Sequence, residues 1–175
     1  MRKNRVLVAI HNQNEETFTT AAINAVNAAR ASYGLICPRV VRLEETFEMK
    51  SLYTNSGRAS GKVSGMDDLL RAMDTYRGQY DAVAISSVIT VPLHYHRDYF
   101  TSGGDMINPW GGVEALLTHA LSSRYNVPTA HSPMLESVEV ANIEVGISDP
   151  RMAAEVVSVT FLLSLSLIHI SEPTR

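Results

Sequence analysis

The sequence has little cysteine and no long hydrophobic run. Cys37 is the single cysteine in 175 residues, so an intrachain disulfide is excluded and a reducing, cytoplasmic location is expected. The apolar run 6–10 is too short for a signal peptide, and nothing in the sequence is long enough to span a bilayer. We therefore expect no membrane partner.

An excess of positive charge is missing as well. The net charge is -3, and the 15 Lys and Arg residues are scattered along the chain. Nucleic-acid-binding proteins usually concentrate basic residues on one surface, so we expect no nucleic-acid partner. With 45% hydrophobic and 19% charged residues, the composition is typical of one globular domain with a substantial core.

The last residues differ in character from the rest. Residues 164–175 read Ser-Leu-Ser-Leu-Ile-His-Ile-Ser-Glu-Pro-Thr-Arg. They resemble the translation of a sequencing adapter, a tail found on unrelated metagenomic proteins. We therefore predict one domain over residues 1–163 and a non-native tail over 164–175. The alternative is a genuine final strand at 165–170.

Hydrophobic periodicity divides the chain into alternating strands and helices. Continuous apolar or β-branched runs predict strands at 6–10, 36–43, 82–91 and 127–130. Apolar stripes at helical spacing predict helices at about 15–32, 66–76, 111–124 and 150–163. This alternation predicts a three-layer, Rossmann-like α/β fold with a mainly parallel sheet and helices on both faces. An incomplete domain of this fold class is the alternative.

The remaining stretches lack a regular pattern. Residues 44–65 contain three glycines among polar residues and predict a long loop, with at most a short strand at 51–54. Gly57 to Val63 does not satisfy the spacing of a phosphate-binding loop. Residues 93–105 carry polar aromatics and two glycines and are assigned no regular element, and residues 135–147 are expected to be irregular or to form an edge segment.

The residues that begin the 111–124 helix form the first candidate site. Asn108 can cap this helix, and Gly111 and Gly112 would expose backbone N–H groups at its N-terminus to a phosphate or carboxylate. A structural account is equally open, in which the two glycines let the helix pack closely on a neighbouring element. The sequence therefore predicts a small anionic metabolite as one interpretation of this segment.

Glu114 and His131 are the candidate catalytic residues. His131 follows a predicted strand, and ligands of parallel sheets bind outside the carboxyl ends of strands. It could act as a general acid or base, with Glu114 orienting it, and Ser132 is a candidate ligand-binding residue. The alternatives are a helix-capping role for Glu114 and a backbone-bonded histidine at the core edge.

A metal site was considered at His94, His96 and Asp98. If this segment were extended, alternate side chains would place these three groups on one side. Pro92 and the uncertain conformation weaken that interpretation. We therefore assign no metal ligands, and the cofactor is unknown.

Several motifs together resemble an uncharacterised family, domain of unknown function 3326. They are Asn108-Pro109, Gly111 to Ala115, Thr118-His119, the run from Val127 to Pro133 and Asp149 to Glu155. The likeness is to the C-terminal portion of the family. Members usually carry a further Gly-rich N-terminal region and a different C-terminal strand. The resemblance implies no activity, but it places Gly111, Gly112, Glu114 and His131 in the family pattern.

Three functional hypotheses follow. The first is an enzyme, or part of an enzyme's site, acting on a small anionic metabolite. The second is a non-catalytic metabolite-binding or homo-oligomer-forming domain, in which the same residues act as caps and packing devices. The third is a truncated fragment whose site is completed by a missing N-terminal region.

Overall fold

The computed structural model describes residues 4–12, 16–45, 47–134, 136, 137, 140, 149 and 150. Ten elements follow one another along these residues. In chain order they are β1 (Arg5–Ile10), α1 (Glu16–Tyr33), β2 (Ile36–Arg42), β3 (Glu48–Tyr53), β4 (Ala59–Ser64), α2 (Asp67–Thr75), β5 (Ala82–Val88), α3 (Leu93–Thr101), α4 (Gly111–Tyr125) and β6 (Thr129–Met134).

Four strands form one parallel sheet in the order β2-β1-β5-β6. Parallel strands need crossover connections, and α1, α2 and α4 lie in the segments that join successive strands. β5 pairs with β1 on one side and with β6 on the other, and β6 lies at an edge of the described sheet. Pro133 is tolerated in β6 because an edge strand can lack one ladder donor.

Apolar residues cover both faces of this sheet. One face packs against α2 and α4, with Leu7, Val83 and Ile85 meeting Leu69 and Leu117 in one core cluster. The opposite face packs against α1 through a second, smaller cluster. That cluster includes Val8, Ile10, Met134, Phe18, Ala22 and Val26. The predicted three-layer α/β fold with a mainly parallel sheet is confirmed.

The long loop predicted at 44–65 is wrong, because β3 and β4 form an antiparallel hairpin there. β3 alternates strictly, with Met49 and Ser51 buried between exposed neighbours. Gly61 marks a close approach: a Cβ there would lie 2.5 Å from Val113 Cβ. The glycines and polar residues of this segment make it resemble a loop, but they allow the hairpin to pack directly against α4.

Residues 93–105, for which the sequence predicts no regular element, contain α3. Its buried residues are His96, Tyr99 and Phe100, which share one face at helical spacing. Their rings pack edge-on against each other and against Trp110, which lies just before α4. Packing of the aromatic rings therefore stabilises α3, although the polar residues of this segment do not indicate a helix.

Two predicted strands have shifted bounds. β5 ends at Val88 rather than at residue 91, and β6 spans 129–134 rather than 127–130. The predicted helix at 150–163 and the tail at 164–175 lie outside the described residues beyond Pro150. Within the described ranges, no helix is both long enough and apolar enough to cross a membrane.

Candidate functional site

Three side chains form a hydrogen-bonded line towards the carboxyl end of the parallel sheet, where His131 lies inside β6 rather than after its strand as predicted. Glu114 Oε1 lies 2.8 Å from His131 Nδ1, and His131 Nε2 lies 2.8 Å from Ser87 Oγ. Ser87 Oγ is also 3.2 Å from the sulfur of Met49 on the hairpin. One residue each from α4, β6 and β5 is thus connected through the His131 ring.

The sheet register explains why Ser87 and His131 meet. Ile85 pairs with His131 and Ser87 pairs with Pro133 in the parallel ladder between β5 and β6. Because alternate residues of a strand point to the same face, Ile85, Ser87 and His131 all point towards α4. Glu114 lies in the first turn of α4, so the helix start carries its carboxylate over the ring.

The hydrogen-bond donors restrict the proton positions. An ionised Glu114 only accepts, so Nδ1 of His131 carries a proton. If the ring is neutral, Nε2 accepts from the Ser87 hydroxyl. If the ring is an imidazolium, Nε2 donates to Ser87, and the hydroxyl turns its proton to the Met49 sulfur. In both protonation states of the ring, the Nε2 atom of His131 and the Ser87 hydroxyl therefore each have a hydrogen-bond partner.

Most of this line is shielded from solvent. Ser87 is 0% exposed and the His131 side chain is 1% exposed, whereas the Glu114 side chain is 28% exposed. Solvent therefore reaches the line from its carboxylate end. Hydrogen bonds are stronger in such an interior than in water, and an unpaired member costs correspondingly more.

The start of α4 combines a cap with a tight packing contact. Asn108 Oδ1 accepts hydrogen bonds from the N–H groups of Trp110 at 2.8 Å and Gly111 at 3.1 Å. A Cβ on Gly112 would lie 2.5 Å from the backbone carbon and oxygen of Ala59 in β4. Gly112 therefore has a packing role, and any anion at this terminus would share the Gly111 amide with Asn108.

Ser132 is separated from His131 by the sheet. Adjacent residues of a strand point to opposite faces, so Ser132 faces α1 rather than α4. Its hydroxyl oxygen is buried and has no hydrogen-bond partner among the described residues. The structure thus brings Asn108, Gly111, Gly112, Glu114 and His131 to one face and leaves Ser132 on the other.

The extended conformation considered for a metal site at His94, His96 and Asp98 is wrong. All three lie on α3, where positions two apart point in different directions. His96 is buried, whereas His94 and Asp98 are exposed. In the described part of the chain, no three His, Cys, Asp or Glu side chains cluster closely enough to hold a metal ion.

A small cavity of about 30 Å³ lies beside His96 and Trp110. It has room for about one water molecule. Glu136, an exposed residue, also lines it. Partial burial raises the pKa of this carboxyl group, and burial lowers the pKa of the His96 ring. Both effects favour the uncharged forms.

Because two histidines are buried, we expect the protein to lose stability in mild acid. Burial lowers the pKa of His11 and His96 below the ordinary value of 6.5. As the pH falls below 6.5, the unfolded chain takes up protons that the folded chain does not. Each ring then lowers the free energy of unfolding by at most about 1.4 kcal/mol per pH unit, until the pH reaches the pKa of that ring in the folded chain.

Urea unfolding at pH 7.5 and 5.5 measures this loss. His96→Phe should reduce the difference between the two pH values, and exposed His119→Gln should leave it unchanged. The raised pKa of Glu136 acts with the opposite sign, adding stability as that carboxyl becomes protonated. Equal stability at both pH values in the unmodified chain would contradict the prediction.

Sequence reasoning did not identify Ser87 or Met49 as site residues. Ser87 interrupts an apolar strand, and Met49 lies in a segment predicted to be a loop. A hydroxyl in a fully buried strand is itself a signal, because it requires a partner. Finding that partner requires the register between β5 and β6, which no single-strand pattern contains.

Comparison with known proteins gives two findings. An uncharacterised lipoprotein from Synechococcus sp. is 29% identical over 141 residues, which is 77% of this chain. The chain spans 37% of the length of that relative.

A family model described as a protein of unknown function, DUF3326, matches residues 1–172. The match covers the whole chain and is not restricted to a C-terminal portion of the family, and it includes residues 164–172 of the predicted tail. The chain therefore belongs to the DUF3326 family.

Proposed function

We propose that the chain carries the acid–base centre of an enzyme that acts on a small anionic metabolite. His131 is the general acid or base, and Glu114 orients it. The observation that supports this assignment is the line from Glu114 through His131 to Ser87, with both ring nitrogens within 2.8 Å of a partner. Ser87 is the next-to-last residue of β5 and Glu114 lies at the start of α4, so the line lies near the edge of the sheet where ligands of this fold class bind.

The proposed chemistry depends on the two ring nitrogens having different partners. Glu114 holds the proton on Nδ1, so Nε2 is the atom that exchanges a proton. A substrate group that displaces the Ser87 hydroxyl from Nε2 would receive a proton from that nitrogen or give a proton to it. Removing a general acid or base of this kind typically lowers turnover about 10²- to 10⁴-fold.

The anion is assigned to the start of α4. The N-terminus of a helix carries a partial positive charge, and its first amides lack partners within the helix. Asn108 accepts from Gly111 in the present structure. A phosphate or carboxylate would replace that side chain as the acceptor, which keeps Asn108 and Gly111 in the proposed ligand site. Ser132 faces α1, so its proposed role in binding would concern a different surface.

A non-catalytic domain is the second candidate, and the burial of the line favours it. Ser87 and His131 are shielded, and a satisfied buried network can specify strand register and helix placement. In that case the chain would bind a metabolite or assemble with copies of itself without turnover. Because the chain spans 37% of its longer relative, a site completed by further residues is a third form of the proposal.

Ligand-dependent thermal unfolding tests the proposal. Inorganic phosphate, a panel of phosphorylated and carboxylated metabolites, and divalent metals are added to the protein at increasing concentration. A ligand at a hundredfold excess over its Kd adds about 2.7 kcal/mol, which corresponds to a rise of roughly 5–10 degrees in the unfolding midpoint.

Asn108→Ala locates the binding site. The variant should unfold at a lower temperature without ligand because the cap is lost, but it should show a larger anion-induced rise because the competitor for the Gly111 amide is gone. Any stabilising compound is then followed for turnover by NMR. His131→Gln should lower turnover about 10²- to 10⁴-fold and keep the ligand-induced rise in the unfolding midpoint. Stabilisation without turnover in the unmodified chain would support the non-catalytic candidate, and no stabilisation by any compound would contradict anion binding.

The cytoplasmic location remains part of this proposal. It rests on the single cysteine, which favours a reducing compartment. The Synechococcus relative is named a lipoprotein, a name that applies to that protein. Fractionation of cells that express the full-length protein would decide between soluble and membrane-attached fractions.

A further inference from the structure

His11 lies directly after β1 and faces the same side of the sheet as the candidate site. Its backbone N–H donates to the carbonyl oxygen of Ser86 at 2.8 Å, which fixes it beside β5. Two-residue alternation places its side chain on the face of Leu7 and Ala9, in the core that packs on α2 and α4. The ring contact with Phe47 of that core, 5.5 Å between centroids, agrees with this placement.

His11 and His131 therefore approach Ser87 from the strands on either side of β5. Ile10 pairs with Ser86 in the ladder between β1 and β5, so the next residues, His11 and Ser87, are neighbours. Neighbouring strands lie about 4.8 Å apart, so β1 and β6, which flank β5, lie about 10 Å apart. The two histidine side chains reach into that span from opposite sides, so one small molecule could contact both. His131 reaches Ser87 from β6 through its Nε2 atom.

The Nδ1 atom of His11 is buried and has no hydrogen-bond partner among the described residues. His11 as a whole is 7% exposed. Most buried polar side-chain atoms in proteins are paired, so an unpaired ring nitrogen across β5 from a hydrogen-bonded histidine indicates a group that pairs on ligand binding. The packing against Phe47 holds the ring in position before any ligand arrives.

We propose that His11 is a ligand-binding residue of the His131 site and that its Nδ1 atom binds a hydroxyl group of the metabolite. This inference rests on the proposed function and names part of its substrate. Burial lowers the pKa of His11, so the ring is neutral at pH 7 and adds no positive charge. A hydroxyl can donate or accept, so it satisfies Nδ1 in either neutral tautomer, whereas a carboxylate can only accept. The ligand class is a small hydroxy acid.

Histidine NMR with matched acids tests the inference. The protein is labelled with ¹⁵N-histidine and titrated at pH 7.5 with L-malate and L-lactate. Succinate and propionate, which lack only the hydroxyl group, are the controls. We expect the Nδ1 resonance of His11 to shift with a hydroxy acid and to stay unchanged with its deoxy counterpart.

Two variants separate binding from folding. His11→Leu removes the unpaired nitrogen at similar volume, so it should raise the unfolding midpoint by several degrees and abolish the hydroxyl-dependent part of ligand stabilisation. His11→Asn keeps a polar group near the position of Nδ1 and should restore that part. A lower midpoint in His11→Leu would show that His11 has a structural partner and would overturn the inference.

The outcomes also distinguish this inference from the proposed function. A response of His131 to an acid with no response of His11 would overturn the role of His11 and leave the His131 proposal standing. Equal responses of His11 to malate and succinate would overturn the hydroxyl assignment. If neither ring responds to any of the four acids, the hydroxy-acid inference fails, and the broader anion panel still tests the proposed function.

Discussion

Gly112→Ala is expected to lower the free energy of unfolding by about 2 kcal/mol, within the range for overpacked cores. The added Cβ would lie 2.5 Å from the carbon and oxygen of Ala59 and 2.6 Å from the nitrogen of Ser60. These are backbone atoms of β4, so no side-chain rotation can relieve the overlap. α4 and the hairpin have to move apart, and the gain from alanine in a helix offsets only about 1 kcal/mol.

Gly111→Ala is the matched control for this prediction. It is the neighbouring residue in the same helix, but its added Cβ would meet only Asn108 side-chain atoms at 4.0 Å, an ordinary contact. The free energy of unfolding of this control should therefore equal that of the unmodified chain or exceed it by up to about 1 kcal/mol. Urea unfolding of the two variants measures the difference. Equal stability of the two would contradict the close packing of α4 on β4.

Glu114→Leu is expected to cost about 2–3 kcal/mol of stability. It leaves Nδ1 of His131 without its acceptor in a side chain that is 1% exposed. Leaving a buried hydrogen-bond donor without its partner costs about 1–3 kcal/mol, and charged partners lie at the upper end. The 28% exposure of the Glu114 side chain keeps the loss within that range. The loss arises from the partner left behind rather than from the carboxylate itself.

Glu114→Gln tests this explanation, because its amide oxygen can still accept from Nδ1. It should lose less than about 1 kcal/mol, which is a typical net value for one hydrogen bond. The double variant Glu114→Leu with His131→Leu should be more stable than the sum of the single losses predicts. Strict additivity, measured by urea unfolding, would mean that the two side chains do not interact in solution.

The sheet and the main helices could be predicted from the sequence because each depends on a pattern within its own segment. Val6 to Ile10 and Ala82 to Val88 are apolar runs of strand length, and α2 and α4 show apolar stripes at helical spacing. The hairpin β3–β4 and helix α3 could not be predicted in this way. Their conformations depend on contacts with distant residues, such as Gly61 against Val113 and His96 against Trp110.

The candidate site was predictable in part for the same reason. His131 follows a recognisable strand signal, and Glu114 lies at a recognisable helix start. Their hydrogen bond and the third member, Ser87, depend on strand order and register, which join residues far apart in sequence. The two glycines illustrate the limit: the sequence does not distinguish an anion-binding role from close packing, and the position of β4 gives Gly112 a packing role.

The placement of the hydrogen-bonded line across a central and an edge strand affects how a ligand could enter. β5 is held by ladders on both sides, whereas β6 has one described neighbour. Edge segments open at lower free energy than central ones, so the amides of β6 should exchange with deuterium faster than those of β5. Each local opening would carry His131 away from Ser87 and leave Ser87 in place. The fully buried hydroxyl would then become accessible without unfolding of the core, and breathing of one strand would set the rate of ligand entry.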